Sequence, residues 1–123
     1  MLTYLEKHTK LSISITILIA ITIFYLSSQT FPQGAPGPDF TLKPIIYHFL
    51  AFATLNLFLL ISITKGKNKS LILTAITIAI LYAISDEIHQ LFVPGRHGSI
   101  SDILIDTIGI LTATIIYLPR FKK

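Results

Sequence analysis

Residues 71–96 read "LILTAITIAILYAISDEIHQLFVPGR", and this stretch decides the fold. Its first part, residues 71–84, carries no charge, and two acids, Asp86 and Glu87, then stand directly after the apolar run. An uncharged run of this kind is typical of a helix in a lipid bilayer, which needs about 20 apolar residues to cross. Acids inside such a helix are costly, so we expect them to face the interior of a helix bundle.

The composition of the whole chain indicates a membrane protein. The 123 residues are 52% hydrophobic and only 13% charged, with a mean hydropathy of +0.72, whereas soluble domains carry about 25% charged residues. The length favours a single integral membrane domain spanning residues 1–123. There is no Cys, so neither disulfides nor a thiolate site is available.

Four apolar segments are predicted to be membrane helices, at residues of about 11–28, 44–64, 70–93 and 100–118. A backbone in lipid must satisfy its own hydrogen bonds, which only helices and closed barrels do. The predicted fold is therefore all-α, a bundle of four transmembrane helices. The short "PGRHGS" at residues 94–99 is expected to be a tight turn between the last two helices.

The basic residues predict the orientation. They form three groups that four crossings place on one side of the membrane, where positive charge marks the cytoplasm; the groups are Lys7 and Lys10, then Lys65, Lys67 and Lys69, then Arg120, Lys122 and Lys123. Both termini are thus expected in the cytoplasm, and the connections 29–43 and 94–99 outside. Topology also explains the net charge of +4, so we expect no nucleic-acid partner.

Polar residues collect toward the predicted outer ends of the helices. Asp86 and Gln90, and likewise Asp102 and Asp106, are four residues apart, so each pair shares one helix face. Measured along the two helices from Arg96, Asp86 and Asp106 lie at the same depth, roughly 10 Å from the helix exits at 1.5 Å per residue. His48 should border the same space from the second helix. The cytoplasmic half is expected to have no comparable residues.

Three chemical interpretations of these residues stay open at this point. Asp86, Glu87 and Gln90 can be the floor of an outward-facing polar pocket, or they can be hydrogen-bonded links between helices. Acid/base catalysis by Asp86 or Glu87 is a further alternative, although no nucleophile in a recognised setting accompanies them and no catalytic residue is assigned. Tyr47, Tyr82 and Tyr117 lie near helix ends, as in an aromatic belt.

No metal site and no cofactor are predicted. Nitrogen and oxygen ligands are available from His48, Asp86, His89, Asp102 and Asp106. However, the stretch "DEIH" does not match the HExxH spacing of a zinc helix.

The stretch "SDEIHQLFVPGRHGSISDILIDTIG", residues 85–109, closely resembles the signature of VanZ-like membrane proteins, with its DE-x-x-Q-x-x-x-PGR pattern. The segments "YLSSQ" and "HFLAFATL" are similar to weaker motifs of that family. The resemblance implies a four-helix bacterial membrane protein, of a family that has a member linked to teicoplanin resistance. Its motif residues here are His48, Asp86, Glu87, Gln90, Pro94, Gly95, Arg96, Asp102 and Gly109.

The chain differs from the family pattern at three places. Asp106 stands where an Asn is common, which adds a negative charge. In the second segment, Pro44 and Ile45 stand in place of an Asp-Lys pair that is common in the family. In the same segment, Phe52 stands in place of a Tyr that is common there.

Together, these features predict a membrane protein of the cell envelope with a polar pocket that binds a cell-wall precursor, a lipid head group or a glycopeptide antibiotic. The alternatives are a membrane-embedded enzyme acting on an envelope lipid and a structural or partner-binding bundle. The predicted ligand-binding residues are His48, Asp86, Glu87, Gln90, Arg96, Asp102 and Asp106. Arg96 is expected to hold an anionic group or to pair with Asp86, and Asp106 is the expected surplus charge. No protein partner is assigned.

Overall fold

The structure is a computed structural model that describes residues 1–30 and 42–122, with side chains up to Phe121. Its α-helices are α1 (Leu2–Lys7), α2 (Thr9–Ser27), α3 (Leu42–Thr64), α4 (Ile72–Gln90) and α5 (Ile100–Tyr117). Short 3₁₀ helices, Lys69–Leu71 and Leu118–Lys122, precede α4 and follow α5. The described residues contain no strand, so the predicted all-α fold is confirmed.

Four helical stretches are long and apolar enough to cross a membrane: Thr9–Ser27, Leu42–Thr64, Lys69–Gln90 and Ile100–Phe121. The predicted four transmembrane helices are therefore confirmed by length and composition. The third helix is shorter than expected and ends at Gln90 instead of continuing to residue 93. Beyond it the chain turns, with Gly95 at a φ of 78° that favours glycine. The predicted outer loop 29–43 falls largely on residues 31–41, outside the described residues.

Helix α3 occupies the centre of the bundle and contacts α2, α4 and α5, most extensively α5. Its buried side chains include Phe52, Leu55, Leu59 and Leu60, which form the hydrophobic core. Helix α4 meets this core with fully buried alanines at every fourth position, Ala75, Ala79 and Ala83. Small side chains on one face let helices approach closely in a membrane, where dispersion contacts and hydrogen bonds hold them together.

The contact between α3 and α5 depends on Gly109. A Cβ atom at this position would collide with the carbonyl oxygen of Phe49 on α3. Ala113, one turn further along the same helix, is also buried, so small residues line this close contact. Asn56 links the same two helices by donating to the carbonyl of Ile110 at 2.8 Å and to Oγ1 of Thr114 at 2.9 Å.

The end of the bundle that carries α1 contains an unexpected polar group. Arg120 forms an ion pair with Glu6 at 2.8 Å, and the hydroxyl of Tyr117 donates to Glu6 at 2.8 Å. We expected the predicted cytoplasmic half of the bundle to have no polar residues comparable with those of the outer half. This expectation was wrong, because α1 folds against the bundle and brings Glu6 to the core. Tyr117 is 1% exposed and is not part of an aromatic belt. Tyr82 is also held inside the protein, since its hydroxyl donates to the carbonyl of Ala20.

Candidate functional site

A polar cluster lies where the first turns of α3 and α5 meet the last turn of α4. We use the name polar cluster for its six members: His48, Asp86, Glu87, Gln90, Asp102 and Asp106. His48 and Asp106 each stand six residues inside their helices, about 9 Å from the helix start at 1.5 Å per residue. All members except Asp102 are buried, with at most 5% of their surface exposed. These predicted residues are therefore brought together in the bundle interior.

The shortest contact between helices in the polar cluster joins His48 and Asp106. Nδ1 of His48 lies 3.0 Å from Oδ1 of Asp106, which is fully buried. A carboxylate only accepts hydrogen bonds, so the proton of the imidazole is expected on Nδ1. The other ring nitrogen, Nε2, then presents its lone pair on the opposite side of the ring.

Two further carboxylates surround the same imidazole. Oδ2 of Asp102 lies 3.7 Å from Nε2 of His48, and Oε1 of Glu87 lies 4.0 Å from Nδ1. The side chain of Asp102 is 26% exposed, so it is the member of the polar cluster that reaches the surface. His48 is thus enclosed by acids from both neighbouring helices.

Glu87 also fixes the turn that precedes α5. Its Oε2 accepts a hydrogen bond of 2.8 Å from the backbone N–H of Ser99, which stands just before the first residue of α5. A carboxylate is favourable at a helix N-terminus, where backbone N–H groups lack partners. Gly98 permits this approach, because a Cβ there would meet the carbonyl oxygen of Glu87 at 2.7 Å.

Asp86 contacts its own helix. Its Oδ2 accepts a hydrogen bond of 3.1 Å from Nε2 of Gln90, one turn further along. The pair shares a helix face, as the spacing predicted, and both side chains are buried.

Several carboxylate oxygens of the polar cluster lack a hydrogen-bond donor. Within residues 1–30 and 42–121, no partner is found for Oδ1 of Asp86, Oε1 of Glu87 or Oδ2 of Asp106. Buried polar groups are hydrogen-bonded in the large majority of cases, and each exception calls for an explanation. The polar cluster therefore has more acceptors than the described part of the protein supplies with donors.

The structure shows Arg96 in contact with backbone carbonyl groups, whereas the sequence predicted an ion pair between Arg96 and Asp86. Its guanidinium donates to the carbonyl oxygens of Leu26 at 2.6 Å and Gln29 at 3.0 Å. It thereby caps the C-terminal end of α2, where carbonyl groups lack helical partners. These contacts give no support to Arg96 as the ionic partner of Asp86.

The remaining histidines near this end lie apart from the polar cluster. Nε2 of His89 is 2.9 Å from the hydroxyl of Ser28, and its ring stacks on Phe24 at 4.6 Å. His89 therefore links α4 to α2. His97 is exposed in the turn before α5.

Among the described residues, apolar grooves on the outside of α3 include two of different size. The larger, of about 440 Å³, lies between α2 and α3 and is lined mainly by Leu, Ile and Ala side chains. Tyr47 belongs to its wall, and the ring of Tyr47 contacts the ring of His48 edge-on at 5.4 Å. The smaller, of about 290 Å³, lies between α3 and α5. Tyr47 thus contacts both the larger groove and His48 of the polar cluster.

Three members of the polar cluster have the geometry of metal ligands. One ligand atom from each of His48, Glu87 and Asp102 lies within 4.8 Å of the others. The sequence predicted no metal, because "DEIH" does not match the HExxH spacing of a zinc helix, and Glu87 was not among the ligands considered. The fold brings His48, Glu87 and Asp102 to one point.

Sequence reasoning missed Ser99 and Gly98 as supports of the site, and it missed Glu6 at the other end. The signal for Glu6 was its position as the only acid before the first apolar segment. No spacing rule connects Glu87 to Ser99, because the turn between them sets that contact.

The comparisons with known proteins agree with the motif and the fold. A family model described as VanZ/LLP1 matches residues 10–122, nearly the whole chain. No curated protein and no solved structure matches. With the family match over this length, and with four helices suited to crossing a bilayer, the chain is a multi-pass membrane protein that belongs to the VanZ/LLP1 family.

Proposed function

We propose that this protein binds the polar head group of an envelope amphiphile at the polar cluster, with the apolar tail along the groove between α2 and α3. The ligand is a lipid or a lipid-linked cell-wall precursor. The protein would lie in the cell membrane with both termini in the cytoplasm, so that the polar cluster faces outward. That orientation is supported by the distribution of Lys and Arg residues.

The observation that carries this proposal is the set of acceptors without donors. Asp86, Glu87 and Asp106 each keep one buried oxygen for which the described residues offer no partner. A half-satisfied buried network costs stability, because every unpaired polar group loses its hydration without compensation. A ligand that supplies the missing donors or cations would remove this cost.

The neighbouring groove supports an amphiphile over a fully polar ligand. Tyr47 lines the groove and contacts His48, so polar and apolar surfaces meet at one residue. Ligands in membranes are arranged in the same way, with a polar head at the interface and chains beside the helices. The deep burial of the polar cluster favours a small head group.

A purely structural role is the weaker alternative. A polar cluster that served only to hold helices together would be expected to satisfy its own hydrogen bonds. The three orphan oxygens of the polar cluster do not follow that pattern.

An enzymatic role has one specific observation in its favour. The Asp106 carboxylate orients the His48 imidazole, an arrangement that suits a general base. This shifts the alternative from Asp86 or Glu87, which the sequence suggested, to His48. Formation of a product from an envelope lipid by the purified protein, lost in His48→Gln, would establish catalysis.

The test of binding is native mass spectrometry of the protein extracted with its lipids. Wild type should retain a defined lipid species. Asp86→Asn should lose it through the head group, and Ala51→Phe should lose it by filling the groove that Ala51 lines. Ile115→Phe, on an exposed face of α5, is the control and should retain the lipid. Equal lipid retention in all four proteins would contradict the proposal.

A second experiment concerns the antibiotic. Expression of the protein in a susceptible Gram-positive host should raise tolerance to teicoplanin if the link to glycopeptide resistance extends to this chain. Asp86→Asn, expressed at the same level, should remove the gain.

A further inference from the structure

We propose that His48, Glu87 and Asp102 hold one divalent cation, Zn²⁺ or Mn²⁺, and that Asp106 is a positioning residue behind the imidazole. The ion site itself stands on the side-chain geometry. The link between the ion and a lipid head group rests on the proposed function.

The spacing of the three side chains fits a single ion. Their ligand atoms lie within 4.8 Å of one another, and Nε2 of His48 is 3.7 Å from Oδ2 of Asp102. Bonds of about 2.1 Å in a tetrahedral site separate neighbouring ligands by about 3.4 Å. Nε2 of His48 and Oδ2 of Asp102 are thus close to that spacing. Oε1 of Glu87, which lies 4.0 Å from Nδ1, would have to move toward Nε2 when the ion binds.

The hydrogen bond between His48 and Asp106 prepares the imidazole for a metal. With its proton on Nδ1 and bonded to Asp106 at 3.0 Å, the ring turns the lone pair of Nε2 toward Asp102. Histidine ligands of metals usually donate their other N–H to a carboxylate or carbonyl, which fixes the ring and makes it a better ligand. Asp106 has this role here without touching the ion.

A second, independent observation is the free oxygen of Glu87. The residue is 3% exposed. Its Oε2 accepts a hydrogen bond from the backbone of Ser99, and its Oε1 has no hydrogen-bond partner among the described residues. Oε1 lies 4.0 Å from the imidazole, inside the polar cluster. A buried carboxylate oxygen is expensive without compensation, and a cation compensates it better than a neutral donor does.

The ligand types restrict the choice of ion. Two carboxylates and one imidazole are harder than the thiolate sets of structural zinc sites, which excludes Cu⁺ as a natural occupant. Imidazole suits Zn²⁺, whereas carboxylates suit Mn²⁺. Three protein ligands would leave a coordination position for another group. Asp102 is the ligand that reaches the surface.

The open position gives the ion a function in head-group binding. An acidic cluster by itself repels phosphate, which is the usual polar group of membrane lipids and of lipid-linked precursors. A divalent ion held by two carboxylates and a neutral imidazole can still accept a phosphate oxygen as a ligand. The cation would therefore allow an acidic site to bind an anionic amphiphile.

The experiment uses the full chain in detergent, purified with a tag that contains no histidine. After dialysis against chelator, Zn²⁺ binding is measured by titration calorimetry and elemental analysis, and Mn²⁺ binding by electron paramagnetic resonance. We expect one ion per chain and a loss of affinity of more than tenfold in Asp102→Asn and in His48→Gln. Asp106→Asn should weaken binding by roughly 10- to 100-fold, the usual cost of losing a histidine's outer partner.

His97→Gln is the matched control, because His97 is an exposed histidine outside the polar cluster. It should bind the ion as wild type does. Asp102→Asn changes a partly exposed side chain and keeps its shape, so its fold can be verified by an unchanged circular dichroism spectrum. Failure of wild type to bind either ion, or equal binding in folded Asp102→Asn and wild type, would overturn the proposal.

The lipid-binding test separates this inference from the proposed function. If the ion is absent but a lipid is retained in an Asp86-dependent way, the inference fails and the proposed function stands. If the ion binds and no lipid does, the ion site stands and the head-group function fails. If both hold, phosphate-containing lipid should be retained less after chelation.

Discussion

Nδ1 of His48 and Oδ1 of Asp106 are 3.0 Å apart, although 58 residues separate the two along the chain. The contact joins the second and fourth membrane-crossing helices at about the same depth. It makes the histidine, not the acids of α4, the centre of the site. The carboxylates of Asp102 and Glu87 lie farther from the imidazole of His48, at 3.7 and 4.0 Å.

This relationship predicts how substitutions at Asp106 differ. In Asp106→Asn, the side-chain oxygen still accepts the bond from His48 and one negative charge is removed, so stability should be unchanged or increased. Asp106→Leu leaves Nδ1 of His48 buried without a partner and should lower stability by about 1–3 kcal/mol. Thermal unfolding of both variants in detergent measures the difference. Strong destabilisation by Asp106→Asn would show that the charge itself is required.

Asp86→Asn should leave the fold intact and reduce ligand binding. The amide oxygen can still accept from Gln90, so the internal bond of 3.1 Å is kept. The lost charge should weaken a head-group contact by about 1.5–3 kcal/mol, which is more than tenfold in affinity. The measurement is the lipid-bound fraction in native mass spectra, with the exposed neighbour Ser85→Ala as control. An unchanged bound fraction would remove Asp86 from the site.

Gly109→Ala should destabilise the bundle by about 1–3 kcal/mol, the usual cost of overpacking a tight contact. The added methyl group would meet the backbone of Phe49, which cannot move aside as a flexible side chain can. Ile108→Ala, one residue earlier and exposed, is the matched control and should have a small effect. Thermal unfolding in detergent decides between them. Equal stability of Gly109→Ala and wild type would show that α3 and α5 can separate without cost.

The predicted orientation can be tested with single cysteines, since the chain has none of its own. His97→Cys should react with a membrane-impermeant thiol reagent added outside intact cells, while Lys67→Cys should react only after the membrane is opened. Both positions are exposed in connections at opposite ends of the bundle. Gly98 would be a poor choice, because any side chain there meets the carbonyl of Glu87. The reverse labelling pattern would place the polar cluster on the cytoplasmic side.

Breaking the ion pair at the opposite end should loosen α1 without affecting the polar cluster. Glu6→Gln keeps the hydrogen bond from Tyr117 but weakens the bidentate contact with Arg120. We expect a lower melting temperature and faster proteolysis near the N-terminus, with ion binding unchanged. Ion binding that falls with Glu6→Gln would show that the two ends of the bundle are coupled.

The sequence predicts the fold class because lipid restricts the backbone to few structures, and each apolar run then becomes a helix. The matched depths of Asp86 and Asp106 stay a prediction, which rests on the constant rise per residue within a helix. The sequence determines less well how each helix is rotated about its own axis, and therefore which side chains face one another. The spacing gave no reason to choose Glu87 over Asp86 as the neighbour of His48, and only the crossing of α3 and α4 decides it.

The place of Arg96 is beyond sequence reasoning for another reason. A guanidinium near several acids is expected to pair with one of them, but helix ends offer competing acceptors. The last carbonyls of any helix lack the regular helical partner, whatever the sequence, so no residue identity reveals them as acceptors. Tertiary structure brings this helix end next to the turn and determines what Arg96 binds.

The absent side chain at Gly109 has a consequence for how such a protein can evolve. Since α3 and α5 touch there through backbone atoms, their separation does not depend on the size of the residues that face lipid. Exposed positions such as Leu50, Ile108 and Ile115 can therefore drift among apolar residues as the surrounding membrane changes. The distance between His48 and Asp106 would be inherited unchanged through that drift, for as long as position 109 remains glycine.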